Sequence, residues 1–301
     1  MSRRFQTVAL TGKYRDPRVG DSMLVVAEHL AAAGVRVVLD PGVRMEFPGI
    51  PVESLSEQEL AEAADLVVAI GGDGTMLYAS RLVAGRDVPL LGINRGRLGF
   101  LADITPGEAL RRLDEVLAGD YDEDRRLMLE AVIENGGAPR RALALNDVVL
   151  QKRDPGRMLD FENWVDGVYV NTHGGDGLVI ATPTGSTAYA LSGGGPIIHP
   201  ALDAITLVPI CPHTLSDRPI VIRADACIEV RILDRPDTRA EVACDGQPLG
   251  ELAAGERLLV RAASERVVLI HPRGHDYFRL LRSKLHWGRG SHGRAGGPTD
   301  D

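Results

Sequence analysis

The sequence predicts an α/β domain followed by an all-β domain, and three observations predict it. Up to about residue 120, short continuous apolar runs alternate with stretches of helical spacing, the pattern of a doubly wound parallel sheet covered by helices on both faces. From Tyr121 the rhythm changes to strand-like runs separated by turns. The strand-to-helix junctions carry glycine clusters, and 34 of the 301 residues are glycine, above the usual level of about 7%.

Taken in order, "FQTVAL" reads as a strand, and Val19 to Ala33 carries helical apolar spacing that stops at Gly34. "VRVVLD" is a second strand. "LSEQELAEA" is a short helix with Ser56 as N-cap and Glu59 three residues on, a capping box. "DLVVAI" and "VPLLGI" are the third and fourth strands. Right-handed crossovers place the C-terminal ends of such strands along one edge, where ligands bind. "ITPGEALRRLDEVLAGD" is a connecting helix ended by Gly119. The strands of the second domain are read in "RRLMLEAVIE", "RALALNDVVLQ", "MLDFENWVDGVYVN", "RPIVIRADACIEVRIL", "AEVACDG" and "ERLLVRAASERVVLIH". "DYFRLLRSKLHW" is a final helix expected to pack back on the first domain, and the polar, glycine-rich tail is expected to be disordered. The expected division is 1–120, 121–275 and 276–301.

Composition excludes several function classes. The formal net charge of −8 comes with no basic stripe, which argues against duplex binding. Aromatics make up only 4%, too few for a single-strand stacking platform. Cys211, Cys227 and Cys244 are odd in number and widely spaced, so a disulfide framework is not expected. No signal peptide and no run of ~20 apolar residues is present, so a soluble, cytoplasmic protein without membrane partners is expected. The scattered histidines show no metal-ligand spacing.

Four stretches point to chemistry. In "LVVAIGGDGTML" an apolar strand stops at Gly71 and Gly72, whose lack of a side chain permits a tight turn and close approach to a ligand. Thr75 is placed to cap a helix beginning near Met76, and a helix start offers N–H groups to anions. Asp73 would lie beside bound phosphate, which repels it. It therefore serves as base toward an attacking hydroxyl, as holder of a divalent cation, or as both, unless it is a simple turn cap. "GDGLVIATPTGSTAYALSGGGP" is a small-residue loop in which Thr184, Ser186 and Thr187 have hydroxyls for phosphate or ribose, and Thr187 a capping position. "LNDVVL" interrupts a strand pattern with Asn146 and Asp147, either an inward polar pair or a strand-end turn. "LGINRGRLGFLAD" follows the fourth strand, so Arg95 and Arg97 either bring charge to the edge of Asp73 or are surface residues.

Together with "AITLVPICPHTLSDRPIVI", these stretches, in this order, resemble the NAD kinase family over about Val8 to Trp287. GGDGT alone is shared with lipid kinases and phosphofructokinases, whereas the TPTGSTAY segment is far more specific. The resemblance implies an N-terminal α/β domain, a C-terminal β-sandwich-like domain and a site between them. It implies transfer of the γ-phosphoryl of ATP, or of polyphosphate in some members, to the 2′-hydroxyl of the adenosine ribose of NAD. It also implies Mg²⁺ or another divalent cation, held mainly by nucleotide phosphates with Asp73 as a further candidate ligand, and a homodimer or homotetramer. By the same resemblance Asp73 is the catalytic base with Gly74 beside the substrate. Asn146 and Asp147 contact the adenosine part, Asp176 lies toward the nicotinamide end, and Gly174 is a further substrate-binding residue. Thr184, Thr187, Ala188, Tyr189, Ala190, Leu191 and Ser192 form the substrate loop, with Arg157 and Gln247 as further contacts. One departure is visible: the family's pair is Asn-Glu, and Asp147 is a methylene shorter, about 1.5 Å in reach.

Two other readings share the motif. A lipid kinase would need an interfacial amphipathic helix, and none is evident. A non-catalytic dinucleotide sensor would keep the glycine loops without needing Asp73. Formation of NADP, of lipid phosphate, or of neither separates the three.

Overall fold

Val8, Ala9 and Leu10 are all buried, as are all six residues of Leu66–Gly71, so the apolar runs become strands enclosed on both faces. The computed structural model describes residues 5–12, 16–96, 99–153, 158–233 and 239–287. The first part runs β1 (Thr7–Gly12), α1 (Pro17–Ala32), β2 (Arg36–Leu39), β3 (Val52–Ser54), α2 (Glu57–Ala63), β4 (Leu66–Gly71), α3 (Asp73–Val83), β5 (Leu90–Asn94) and α4 (Ala109–Leu117). Asp16 caps α1 by accepting from the Arg18 N–H, and Pro17 follows where a missing N–H costs nothing. The Ser56–Glu59 capping box forms as the sequence predicts.

These strands pair in parallel in the order β3-β2-β1-β4-β5. One apolar cluster, including Met23, Leu30 and Leu113, packs α1 and α4 on one face. Another, including Leu60, Met76 and Val83, packs α2 and α3 on the other. The order reverses between β1 and β4, and a crevice opens outside the strand ends at such a point. Gly12 and Gly71 are the residues that end these two strands.

The second part contains β6 (Tyr121–Glu134), β7 (Arg140–Ala144), β8 (Asp147–Lys152), β9 (Leu159–Val165), β10 (Val168–Gly175) and β11 (Gly177–Ala181). A 3-10 turn over Gly185–Thr187 and a single-turn α5 (Tyr189–Ser192) follow, then β12 (Ala204–Ile210), β13 (Ile220–Arg223), β14 (Ile228–Ile232), β15 (Arg239–Cys244), β16 (Gln247–Ala253), β17 (Arg257–Pro272) and α6 (Tyr277–Leu285). Strands β13-β12-β11-β8-β15-β16 form an antiparallel six-stranded sheet. It packs on β6, β7, β9, β14 and β17 through a core that includes Phe161, Leu129, Leu178 and Val242. This is the sandwich-like half.

Three differences from the sequence reading have physical causes. The parallel sheet does not end at β5: the 16-residue β17 pairs with it at Leu269↔Leu90 and with β6 along its length, joining both halves in one eleven-stranded sheet. "RALALNDVVLQ" is two strands rather than one, because the chain leaves the large sheet after Ala144 and enters the small one at Asp147. Strands β3, β12 and β16, absent from the reading, form where pairing with a neighbour outweighs weak local patterning, and β11 forms within the stretch read as a loop, its apolar run pairing between β8 and β12. In α6, Lys284 lies over the Phe100 ring at 5.9 Å, while Tyr277 and Phe278 meet His199. The tail after Trp287 lies outside the described residues.

Candidate functional site

The GGDGT segment turns more tightly than its sequence suggests. Helix α3 begins at Asp73, with Gly72 as an N-cap that provides no side-chain bond, so Thr75 is not the cap. Thr75 is instead buried over Gly71, where an added Cβ would collide with its Oγ1. Asp73 therefore stands in the first turn, at the end of the helix that favours negative charge.

Its carboxylate faces the chain that follows β5. Phe100 N–H donates to Oδ2 at 2.8 Å, and the Leu101 and Ala102 N–H groups donate to Oδ1 at 3.0 and 3.4 Å. An added Cβ at Gly99 would fall inside this carboxylate. Asn94 braces the same loop, donating to the Ala102 carbonyl at 3.3 Å and accepting from the Gly96 N–H at 2.7 Å. A carboxylate offers about four lone-pair sites, so Oδ2 retains one beyond the Phe100 bond. Arg95 does not come to Asp73: its Nε donates to the Arg18 carbonyl at 2.8 Å, tying the loop to α1. Arg97 lies outside the described residues.

The loop is anchored again one residue later. Asp103 Oδ2 accepts from His271 Nδ1 at 3.1 Å and His275 Nδ1 at 2.7 Å. Burial raises the Asp103 pKa, but the two imidazole contacts outweigh it and hold the carboxyl well below the usual range. These three residues bring their ligand-type atoms within 4.8 Å, a convergence the sequence spacing hid. The two rings are stacked at 4.0 Å and 17°, so an ion in the plane of one imidazole would lie off the plane of the other. The arrangement suits a shared hydrogen-bond acceptor and works as a clamp on the loop.

A cleft of about 370 Å³ opens at the β1/β4 crossover. Gly12, Asp40, Gly74, Thr75, Tyr78 and Arg81 line it from the parallel sheet and α3, and Gln247 lines it from the small sheet. Asp40 accepts from the Gly42 N–H at 2.7 Å and from Thr11 Oγ1 at 3.3 Å. Gly74 and Gln247 are thus brought together.

Asn146 and Asp147 sit where the chain changes sheets, beside that cleft. Asp147 is buried, and burial first and the charge of Asp245 second push its carboxyl up to about 7. Asp245 accepts from the backbone N–H groups of Leu145, Asn146 and Asp147 at 2.9, 2.8 and 3.2 Å, and from Arg81 Nη1 at 3.3 Å. Asp245 and Arg81 were not singled out from the sequence. The signal available was the Asp-Gly pair in "CDGQ", the fourth such pair after 73–74, 166–167 and 176–177.

The loop after β11 is partly as expected. Thr184 Oγ1 accepts from the buried Arg126 at 3.2 Å, leaving its O–H free to donate elsewhere. Thr187 caps nothing: its hydroxyl donates to the Thr184 carbonyl at 3.2 Å. Ser186 is unavailable to a ligand, being fully buried with its hydroxyl bonded to the Pro183 carbonyl and the Ile198 N–H. Ala190 packs its side chain among Val149, Val179, Ala181 and Val208. Tyr189 and Ser192 are exposed, and Ala188 and Leu191 are half-buried.

Asp176 and Gly174 lie apart from this group. Asp176 precedes β11 and pairs with Lys152 at 2.6 Å, and the Gly174 carbonyl accepts from the His213 N–H. Asp147 is opposite Ala181, at the other end of β11 from Gly177, about 13 Å away at ~3.3 Å per residue. Arg157 lies outside the described residues.

The chain is similar to known proteins over most of its length. Residues 20–121 match the model of the ATP-NAD kinase N-terminal domain, and residues 145–272 that of the C-terminal domain. The chain is 44% identical to a NAD kinase of Nitrosococcus oceani over 290 residues, covering 96% of this chain and 99% of that one. It is 46% identical to a NAD kinase of Aromatoleum aromaticum over 289 residues, covering 95% and 96%. Among solved structures, yeast NADH kinase complexed with NADH superposes with a TM-score of 0.86 at 26% identity, covering 98% of this chain and 94% of that chain. An NAD kinase from Archaeoglobus fulgidus in complex with ATP gives 0.74 at 29% identity, covering 93% and 98%.

Proposed function

The chain belongs to the NAD kinase family, which transfers the γ-phosphoryl of ATP to the adenosine 2′-hydroxyl of NAD, and from that premise we propose that Asp73 is the base of the transfer. The observation that carries this reading is the fixed carboxylate of Asp73, held by three backbone N–H groups and retaining a lone pair on Oδ2. That lone pair accepts the proton of the ribose hydroxyl as its oxygen attacks the terminal phosphorus, and ADP leaves. A divalent cation such as Mg²⁺ would be held mainly by the nucleotide phosphates and would neutralise their charge, since the remaining Asp73 lone pair is taken by the ribose proton.

Gly74, Thr75 and Gln247 line the space for the phosphates, and Asn146 and Asp147 receive the adenosine part of NAD. Thr184, Thr187, Ala188, Tyr189, Ala190, Leu191 and Ser192 form the dinucleotide loop, with Ala190 packing beneath it, fully buried and its carbonyl accepting from the Gly195 N–H. Arg157 is assigned on its motif. Asp176 meets the nicotinamide end, with Gly174 as a further substrate-binding residue. Assembly into a homodimer or homotetramer is assigned on the family resemblance. Residues 1–120 thus carry the base, 121–275 the dinucleotide loop and 276–301 the closing helix and tail. No helix among the described residues is long and apolar enough to cross a membrane; a cytoplasmic location is assigned on the family resemblance.

The test is Asp73→Asn, assayed with ATP, Mg²⁺ and NAD. Loss of a general base costs about 10²–10⁴ in kcat, and the Kd for NAD is expected to stay within about threefold of wild type. Turnover close to wild type would remove Asp73 from this role. Diacylglycerol in place of NAD is expected to yield no product.

A further inference from the structure

We propose that Asp245 is a positioning residue for dinucleotide binding, one that fixes the Leu145–Asp147 crossover with its carboxylate and registers it against the helix of Asp73 through Arg81. The inference rests on the reading that Asn146 and Asp147 contact NAD.

The first argument is that the turn itself does not need a carboxylate. Asp245 and Gly246 have φ of +48° and +72°, consecutive left-handed residues linking β15 to β16. Asn-Gly serves such a turn as well as Asp-Gly does. What needs the charge is the backbone opposite. In a strand, successive N–H groups point alternately to either side. Here three in a row converge on one side chain, because Leu145 and Asn146 lie between β7 and β8 and Asp147 only begins β8. Successive N–H groups so arranged form an anion-binding concavity, and the side chain of Asp245, with no solvent exposure, occupies it.

The second argument is a complete account of the crossover's backbone. Its three N–H groups go to Asp245. The Leu145 carbonyl accepts from Thr182 Oγ1 at 2.6 Å, the Asn146 carbonyl from the Thr182 N–H and the Asp147 carbonyl from the Asp245 N–H, each at 2.9 Å. Every polar backbone atom from 145 to 147 is paired, and two residues do it. Thr182 belongs to the dinucleotide loop and Asp245 to the turn before Gln247. Only the side chains of Asn146 and Asp147 are left to address a ligand, from a frame that cannot turn.

The third argument is the link to the base. Arg81 is eight residues along α3 from Asp73, and its guanidinium reaches Asp245 while also lining the cleft. One ion pair thus connects the helix that starts at the base with the segment that receives the adenosine part. The charge of Asp245 also helps keep the Asp147 carboxyl high.

The experiment measures NAD binding by calorimetry in the absence of ATP, so that it does not depend on the role of Asp73. Asp245→Asn keeps the turn but points an NH₂ group at three N–H donors. The NAD Kd is expected to rise at least tenfold while kcat at saturating NAD falls less than threefold. The midpoint of any pH dependence of NAD affinity is expected to move below 7. Arg81→Met, at a partly exposed position, is expected to raise the Kd at least threefold, and the double variant to fall short of the product of the two effects. A lowered Tm with an NAD Kd within twofold of wild type in both variants would overturn the proposal, reducing Asp245 to a fold-stabilising residue. Asp147→Ala separates this failure from that of the underlying reading. If it leaves the Kd unchanged, the assignment of Asp147 to NAD fails. If it weakens binding while Asp245→Asn does not, the positioning role alone fails. Should Asp245→Asn not fold, Arg81→Met decides the matter by the same threshold.

Discussion

Asp147 stands where the family pairs asparagine with glutamate, and its surroundings show what the shorter side chain faces. It is buried beside a second buried carboxylate, Asp245. Burial and that neighbour together raise its pKa from 3.8 to about 7. In the unfolded chain the group loses its proton near pH 4, whereas in the folded protein it keeps the proton until about pH 7. Between these values the folded state binds more protons, so stability falls as pH rises through the window, and the full penalty is present above pH 7. Asp147→Asn has no charge to bury. Its Tm is expected to gain on wild type progressively from pH 5 to pH 8, by several degrees, since about 1 kcal/mol moves Tm by ~2–4 °C in large domains. Scanning fluorimetry across that range checks it, and a gap that does not vary with pH would contradict the assignment. Asp245 also has a raised pKa, with burial opposed by its three N–H bonds, so the variant reports on the pair as well as the residue.

At the scale of elements, the decisive unit is the β4-turn-α3 segment with the loop from Gly99 to Asp103. Gly99 touches no ligand in the assignment above, yet its missing Cβ is the space in which the Asp73 carboxylate lies. Gly99→Ala is expected to displace that carboxylate and lower kcat at least 100-fold, with NAD Kd and secondary structure little changed. Steady-state kinetics beside circular dichroism checks this. Much of this segment was legible in the sequence. The apolar run to Ile70, the glycines and Asp73 marked a strand ending in a phosphate-type turn, and the capping box at Ser56 was correct to the residue. The start of α3 was misplaced because Thr75 has the right side chain for a cap while the backbone starts the helix three residues sooner. The sheet change at Asn146 was hidden because an apolar stretch looks the same whether its halves join one sheet or two. Ser186 looked available because a hydroxyl among glycines suggests exposure, yet Ile198, twelve residues on, folds over it. Asp245, Arg81 and the histidine clamp depend on contacts across 100 residues or more, which no local pattern encodes.

For the whole molecule, the cleft between the sheets makes ligand binding a source of stability. Nucleotide that binds the folded chain at 100 times its Kd adds about 2.7 kcal/mol. NAD at that excess is expected to raise Tm by several degrees in wild type and clearly less in Asp147→Ala, read at constant protein concentration so that any subunit association is held fixed. A uniform rise in both would place the dinucleotide elsewhere.

The long ribbon of β6 and β17 bears on how this enzyme works in time as well as in space. It spans about 45 Å at ~3.3 Å per residue. It is hydrogen-bonded from Tyr121↔Pro272 in the parallel-sheet half to Glu134↔Arg257 in the sandwich, with one irregularity near Ala262–Arg266. A ribbon paired across both halves resists their hinging, so turnover is expected to be paced by short surface segments; small-angle scattering that is unchanged on NAD binding checks this, and a contraction on binding would contradict it.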